Sequence, residues 1–199
     1  MVALPQKMRM TEAEYLEFER KSESKHEFID GEVFAMTGAS RAHNLICVNL
    51  ARRISNQLDG KNCEVYASDM RVKISKRQYV YPDVIVVCGE VKLSHDKFDN
   101  LLNPTIIIEV LSDSTEAYDR GLKFKNYRQL TSLQEYVLIA QDKPSIERFV
   151  RQPNGMWGIS VNDAEGLDSS VELTSIGCTL HLTEVYEHVV FPADENDNP

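Results

Sequence analysis

The sequence predicts an α/β protein in which a mixed central β-sheet is flanked by α-helices. Three observations lead to this fold class. Short apolar runs at 79–88, 105–111 and 135–140 have the length and composition of buried central strands. Helical patterns at 40–59 and 115–130 alternate with strand-like segments, as expected when helices cover the faces of a sheet. The chain has 199 residues, of which 42% are hydrophobic and 27% charged, which is enough for one core.

The first elements are indicated by capping and turn signals. Thr11 and Glu14 have the spacing of a capping box, which predicts a short helix over 11–20. Two alternating segments then surround Asp30 and Gly31, a pair that favours a hairpin turn.

The long helix over 40–59 has a clear start, inner face and end. Ser40 can cap its first turn, and Gly60 ends it. Four apolar side chains recur at intervals of four along its inner face: Ile46, Leu50, Ile54 and Leu58. We expect this helix to pack on one face of the sheet.

The remaining segments complete the sheet. A strand-like run at 64–75 precedes the run at 79–88, and three later segments predict antiparallel strands: "IERFVR", "WGISV" and "GCTLHL". We expect a single domain over residues 1–191, followed by an acidic flexible tail over 192–199.

Composition excludes several classes of protein. No apolar run approaches the ~20 residues needed to span a bilayer, and the N-terminus lacks the apolar stretch of a signal peptide. We therefore expect a cytoplasmic protein without a membrane partner. A net charge of −9 argues against a protein that coats nucleic acid, although basic residues concentrate at 52–77 and 120–128, which permits phosphate binding there.

The cysteines are scattered and contain no CxxC pair. In a reducing compartment this pattern favours four free thiols over a zinc site. The four residues are Cys47, Cys63, Cys88 and Cys178.

Two carboxylates interrupt the apolar strands, Asp83 in "YVYPDVIVVCG" and Glu109 in "NPTIIIEVLS". A buried ionised carboxylate loses several kcal/mol of hydration unless a cation pairs with it. We expect the strands at 79–88 and 105–111 to be neighbours, with backbones about 4.8 Å apart. If the two side chains also lie on the same face at the same level, they could bind one divalent ion together. Mg²⁺ prefers oxygen ligands and is often held by one or two carboxylates, so we expect Mg²⁺, with Mn²⁺ as a substitute.

The helix after Glu109 offers a cation. Asp119, Lys123 and Tyr127 follow one another at intervals of four and form a polar stripe. Lys123 could orient or deprotonate a water molecule, or stabilise negative charge on a phosphate.

An ordered set of motifs resembles the Uma family of proposed restriction endonucleases, within the PD-(D/E)XK nuclease superfamily. The matching stretches cover roughly residues 10–150: "HEFIDGEV", "SRAH", "SDMRVKI", "YPDVIVV", "IIIEVLSDST", "YDRGLKFKNY" and "EYVLI". The superfamily's usual lysine would fall at Leu111, so the resemblance assigns that role to Lys123 on the following helix.

The resemblance implies a restriction-endonuclease-like fold and metal-dependent cleavage of phosphodiester bonds in DNA. It implies Asp83, Glu109 and Lys123 as catalytic residues, with Asp83 and Glu109 as metal ligands. His43, in "SRAH", and Glu27, in "HEF", are possible accessory residues. A homodimer is expected, because cutting both strands of a duplex is easiest with two-fold symmetry.

Each of these residues also has a purely structural interpretation. Asp83 could accept backbone N–H bonds, Glu109 could form a buried salt bridge, and Lys123 could be a surface partner of Asp119. His43 could make a local contact at the helix start, and Glu27 could form a salt bridge. The alternative function is a catalytically inactive nuclease fold with a binding or regulatory role.

Overall fold

A computed structural model of the chain describes residues 9–94, 99–112, 115–159 and 164–192. The predicted tail over 192–199 lies outside these residues, apart from Pro192. The helices are α1 (Glu12–Lys21), α2 (Arg41–Gln57), α3 (Glu116–Tyr118), α4 (Phe124–Tyr127) and α5 (Leu182–Val185). The strands are β1 (His26–Ile29), β2 (Glu32–Ala35), β3 (Cys63–Ala67), β4 (Arg71–Ser75), β5 (Gln78–Val80), β6 (Val84–Cys88), β7 (Asn100–Leu101), β8 (Ile106–Leu111), β9 (Glu135–Ala140), β10 (Ser145–Arg151), β11 (Trp157–Ile159), β12 (Ala164–Glu165), β13 (Ser170–Leu173) and β14 (Cys178–His181).

The central sheet has the strand order β11-β10-β9-β8-β6-β3, and β12 adds to β10. It is mixed, because β8 and β9 run parallel while β6 and β8 run antiparallel. The predicted adjacency of the two carboxylate-bearing segments is confirmed by the pairing of Val84 with Ile108 and of Ile85 with Ile107. The mixed α/β fold class is confirmed as well.

Both faces of the central sheet are covered. On one face, α2 inserts the side chains predicted from its periodicity, and all four are buried in one cluster with residues of β6, β8, β14 and α5. On the other face, the segment after β8 contributes Tyr127, Leu130 and Leu133 to a second cluster. Burial of these apolar faces stabilises the layered arrangement at about 25 cal/mol per Å².

A second, five-stranded sheet has the order β2-β1-β5-β4-β7. Helix α1 starts with the predicted capping box and packs Tyr15 against Phe28 and Tyr79 of this sheet. The predicted hairpin between β1 and β2 is present, and its turn residues Asp30 and Gly31 both have positive φ, which an aspartate and a glycine tolerate best.

Two predicted strands are wrong in their extent. The run at 64–75 forms two strands, β3 and β4, and the run at 79–88 forms β5 and β6. In each case the chain passes from one sheet to the other, so β3 and β6 lie in the central sheet while β4 and β5 lie in the second one. Pro82 lies between β5 and β6, where its lack of a backbone N–H costs the sheet no hydrogen bond.

The predicted helix over 115–130 is shorter and irregular. Between α3 and α4 lies one π-helical segment, Asp119–Lys123. A π turn inserts one extra residue into the helical repeat and is frequently found at functional sites. It turns Leu122 outward, where it is 47% exposed, and leaves Asp119 and Lys123 buried.

The prediction of four free thiols is wrong for two of them. Cys63 and Cys88 form a disulfide, whereas Cys47 and Cys178 are free. The two bonded residues are 25 apart in the chain but directly opposite each other on the antiparallel strands β3 and β6. Sequence spacing alone does not reveal such cross-strand neighbours.

In the described part of the chain, no helix is both long and apolar enough to cross a bilayer. The cytoplasmic location stays a prediction.

Candidate active site

The two predicted carboxylates meet where β6 begins. Continuing the register of β6 and β8 by one residue places Asp83 opposite Glu109. Asp83 lies just before the strand, so its side chain is not confined to one face of the sheet. Its Oδ2 accepts a hydrogen bond from the backbone N–H of Val110 at 2.8 Å, and its Oδ1 lies 3.1 Å from Nε2 of His43 on α2.

Glu109 is buried and contacts the segment after β8, whereas Asp83 contacts α2. Its Oε1 lies 2.9 Å from Nζ of Lys123 and accepts a 2.8 Å hydrogen bond from the hydroxyl of Tyr127. The exposed fraction of its side chain is only 3%. Such a carboxylate is held rigidly, because both partners are themselves buried.

Lys123 joins the remaining acidic residues. Its Nζ lies 3.3 Å from Asp119 and 3.6 Å from Glu27, both of which are at least nine-tenths buried. The π turn makes this possible, since it brings Asp119 and Lys123 to the inner side of the segment together. The ring of Tyr118, five residues before the lysine, lies 5.9 Å from the same nitrogen.

The site carries an excess of negative charge. In the described part of the chain, three carboxylates (Glu27, Glu109 and Asp119) contact the ammonium of Lys123, and a fourth, that of Asp83, contacts His43. If all four are ionised, their negative charges exceed the single positive charge of Lys123 by three. Buried like charges of this kind favour the uptake of protons or of a cation.

The pKa values of these groups follow from burial and from their neighbours. Burial raises the pKa of Glu109 well above its ordinary value, with Lys123 opposing the shift and Asp83 adding to it. Burial likewise raises the pKa of Asp83, although the N–H of Val110 and His43 act against it. For Lys123, burial alone would lower the pKa, but the surrounding carboxylates outweigh it and raise the pKa. This shift favours the ammonium form of the lysine at neutral pH.

The donor set fits a divalent cation. Carboxylate oxygens are the ligands that hard divalent ions prefer, and a bound ion would neutralise the repulsion between the acidic side chains. Among the described residues, one group of three offers ligand atoms that all lie within 4.8 Å of one another: His43, Cys47 and Asp83.

Sequence reasoning missed two residues of this site. Cys47 follows His43 by four positions on α2, a helical spacing that could have signalled it. The hydroxyl of Tyr118 is buried and has no hydrogen-bond partner among the described residues. No sequence signal could have found Tyr118, because its approach to Lys123 depends on the π turn.

Structural and functional interpretations coincide at this site. Asp83 accepts a backbone N–H and Glu109 pairs with Lys123, as the structural alternatives predicted. Lys123 also pairs with Asp119, but this pair is buried and not on the surface as that alternative had it. What those alternatives did not predict is that these contacts, together with His43 and Glu27, belong to one cluster. His43 does more than start a helix, since its backbone N–H is capped by Ser40 while its ring faces Asp83.

Several side chains of the two basic stretches are paired with acids. Examples are the ion pairs Arg53–Glu184, Lys73–Glu12 and Arg120–Glu147. Phosphate binding at 52–77 and 120–128 stays a prediction.

The fold and the site define a protein of the restriction-endonuclease-like α/β class. The fold matches a crystal structure titled "a putative nuclease belonging to DUF820" from Anabaena variabilis with a TM-score of 0.72, covering 91% of this chain and 99% of that one at 15% identity. Residues 12–183 match the Uma2 family, described as "Putative restriction endonuclease", and the chain belongs to that family. The predicted family resemblance is thus confirmed.

Two relatives from Synechocystis are also similar along most of their length. The protein slr1290 is 36% identical over 184 residues, covering 92% of this chain and 94% of the relative. The protein sll1609 is 38% identical over 149 residues, covering 74% of this chain and 84% of the relative. Both are described as uncharacterized.

Proposed function

We propose that this protein is a metal-dependent endonuclease that hydrolyses phosphodiester bonds in DNA. The observation that carries the proposal is the buried acidic cluster at the junction of β6 and β8, in a chain of the Uma2 family. There the ammonium of Lys123 contacts Glu27, Glu109 and Asp119, and Asp83 stands in register with Glu109. A site with three net negative charges repels a phosphate by itself. It becomes suited to phosphate chemistry once a divalent cation lowers the net charge from −3 to −1 and presents a positive centre to the phosphate.

Asp83 and Glu109 would hold the ion, and Mg²⁺ or Mn²⁺ suits their oxygen donors. When bound, the ion supplies an activated water and neutralises charge on the phosphate. The protein residues contribute position and charge. Val110 and His43 fix the two oxygens of Asp83, and Tyr127 fixes Glu109. Lys123 offers a hydrogen bond and a positive charge to a phosphate oxygen.

The buried hydroxyl of Tyr118 adds a further donor. It lies in the electrostatic environment of Glu27, Lys123 and Asp119, and burial together with these carboxylates raises its pKa, so it stays protonated. A protonated phenol without a partner among the described residues can donate to a substrate oxygen. The free energy lost by burying the Tyr118 hydroxyl without a partner would then be recovered in the complex with substrate.

The test compares cleavage by wild-type protein with Asp83→Asn and Glu109→Gln, using supercoiled plasmid, single-stranded DNA and RNA with Mg²⁺ or Mn²⁺. Asp59→Asn, the same substitution at an exposed position, is the matched control. We expect cleavage of DNA by the wild type and the control, and loss of cleavage in both site variants. We also expect saturating metal to raise the melting temperature by about 5–10 °C at 100 times Kd, an increase that both site variants lose.

Two outcomes contradict the proposal. If the wild type binds metal but cuts none of the three substrates, the chain is a binding protein with a nuclease fold. If the site variants cut as fast as the control, cleavage arises elsewhere. Cutting of both DNA strands in one encounter would further support a homodimer, which light scattering can measure directly.

A further inference from the structure

Two residues of α2 face the same acidic side chain. His43 and Cys47 are four positions apart, so they lie on one side of the helix. The ligand atoms of His43, Cys47 and Asp83 all lie within 4.8 Å of one another. The free thiol therefore stands beside a carboxylate and an imidazole that are already only 3.1 Å apart.

Packing alone does not require a cysteine at this position. The inner face of α2 is filled by Ile46, Leu50 and Ile54, each fully buried, whereas Cys47 is only partly buried at the border of that cluster. Burial, with a further contribution from Asp83 and Glu109, raises the pKa of this thiol, so it stays neutral unless a cation binds to it.

The donor types discriminate between metals. Magnesium takes oxygen ligands and binds imidazole or thiolate poorly. Imidazole and thiolate together with one carboxylate select zinc, cobalt and related transition metals. Three protein ligands with one open position is also the arrangement of catalytic zinc sites.

We propose that His43, Cys47 and Asp83 form a three-donor site for a thiophilic divalent ion of the Zn²⁺ or Co²⁺ type. Asp83 would then be shared between this ion and the nuclease centre. This second metal site adjoins the proposed nuclease centre and rests on that function for its role, but its test does not depend on cleavage.

The geometry needs only a small adjustment. Tetrahedral bonds of 2.0–2.3 Å place neighbouring ligand atoms about 3.3–3.7 Å apart, and the three atoms start within 4.8 Å. On binding, the S–H bond of Cys47 breaks and its proton passes to the buffer. The contact between His43 and Asp83 gives way to bonds from Nε2 and a carboxylate oxygen to the ion, with the imidazole proton held on Nδ1.

The experiment titrates metal-free, full-length protein with Co²⁺ and records the near-ultraviolet absorption that thiolate-to-cobalt charge transfer produces. The variants are Cys47→Ser, His43→Gln and, as the matched control, Cys178→Ala at the other free cysteine. We expect the band at one equivalent of Co²⁺ in the wild type and the control, and its loss in Cys47→Ser. The affinity for Zn²⁺ should fall by about 10-fold to 100-fold in Cys47→Ser and in His43→Gln.

A second measurement uses the wild type alone. Alkylation by iodoacetamide, mapped by mass spectrometry, should be blocked at Cys47 by Zn²⁺ and left unchanged by Mg²⁺. A wild type without the charge-transfer band, a band that survives in Cys47→Ser, or alkylation unaffected by Zn²⁺ would each overturn the inference and leave Cys47 as a packing residue.

The outcomes separate this inference from the proposed function. If Cys47 shows no metal contact while DNA is cut with Mg²⁺, the nuclease proposal stands and the thiophilic site is wrong. If the band appears and no polynucleotide is cut with any ion, the metal site stands and the nuclease proposal is wrong.

Discussion

Replacing Lys123 by methionine tests whether this lysine is the buried cation of the acidic cluster. The substitution keeps most of the side-chain volume and removes the charge that contacts Glu109, Asp119 and Glu27. Breaking a buried ion pair by removing one partner costs about 3–5 kcal/mol. For a chain of this size, 1 kcal/mol corresponds to about 2–4 °C, so we expect the melting temperature to fall by roughly 6–20 °C.

The surface pair that the sequence offers as the structural alternative would contribute much less to stability. A surface pair between Lys123 and Asp119 would contribute only ~0.3–0.5 kcal/mol, and replacement of the lysine would then leave the fold nearly intact. The difference arises because the lysine side chain is only 9% exposed. Lys125, which is exposed on the same segment, is the matched control, and Lys125→Met should change the stability by less than ~0.5 kcal/mol.

The pH dependence of stability provides a second measurement for this test. The raised pKa of Lys123 gives stability that is complete below its unfolded pKa, about 10.4, and is lost as the pH rises through the folded pKa. The raised pKa of Glu109 has the opposite effect on stability. The free energy of unfolding falls as the pH rises from about 4.3, the pKa of an unfolded glutamate, through the folded pKa of Glu109. Without the lysine this loss of stability grows.

The stability difference between wild type and Lys123→Met should therefore be largest near pH 8 and should shrink toward pH 3, where Glu109 is protonated in the folded and in the unfolded state. Urea unfolding followed by circular dichroism across this range measures it. Equal stabilities of Lys123→Met and Lys125→Met at pH 8, or a difference independent of pH, would refute the buried-cation interpretation. Lys123→Arg should retain more of the stability than Lys123→Met but restore little cleavage, because the guanidinium has another shape.

Two further predictions concern the hydroxyl and the disulfide. Tyr118→Phe should leave the metal-free protein as stable as the wild type or slightly more so, because it removes a buried hydroxyl without a partner among the described residues. Cleavage should fall by about tenfold or more. Equal cleavage rates in single-turnover assays would exclude Tyr118 from the site. Reducing the disulfide, or replacing Cys63 and Cys88 by alanine, should lower the free energy of unfolding by about 3.5 kcal/mol in the chain-entropy estimate for a separation of 25 residues. An unchanged urea midpoint after reduction would contradict that estimate.

Local patterns determined the elements whose signals lie close together in the chain. The capping box of Thr11 and Glu14, the hairpin at Asp30 and the apolar repeat of α2 each depend on residues within one or two turns, and each is found in the structure. The adjacency of the strands bearing Asp83 and Glu109 was also predicted, because two buried carboxylates in apolar strands need a common neutralising partner.

Tertiary structure decided what depends on distant pairing. The apolar runs at 64–75 and 79–88 look continuous in the sequence, yet each is divided between two sheets. The bond between Cys63 and Cys88 depends on the register of β3 and β6, which no spacing rule encodes. Pairing across a sheet is fixed by the whole set of competing strands and is therefore invisible to a local window.

The chemistry of the candidate site divides in the same way. Asp83 and Glu109 stand out in the sequence because a charge within an apolar pattern is visible locally, whereas Lys123 was identified from a polar stripe and from the family resemblance. Only the tertiary structure decided that Lys123 is a buried ammonium and that Cys47 meets Asp83. Burial and the exact turn of a helix, here the π turn at Asp119–Lys123, depend on how the layers pack, and packing is a property of the folded chain as a whole.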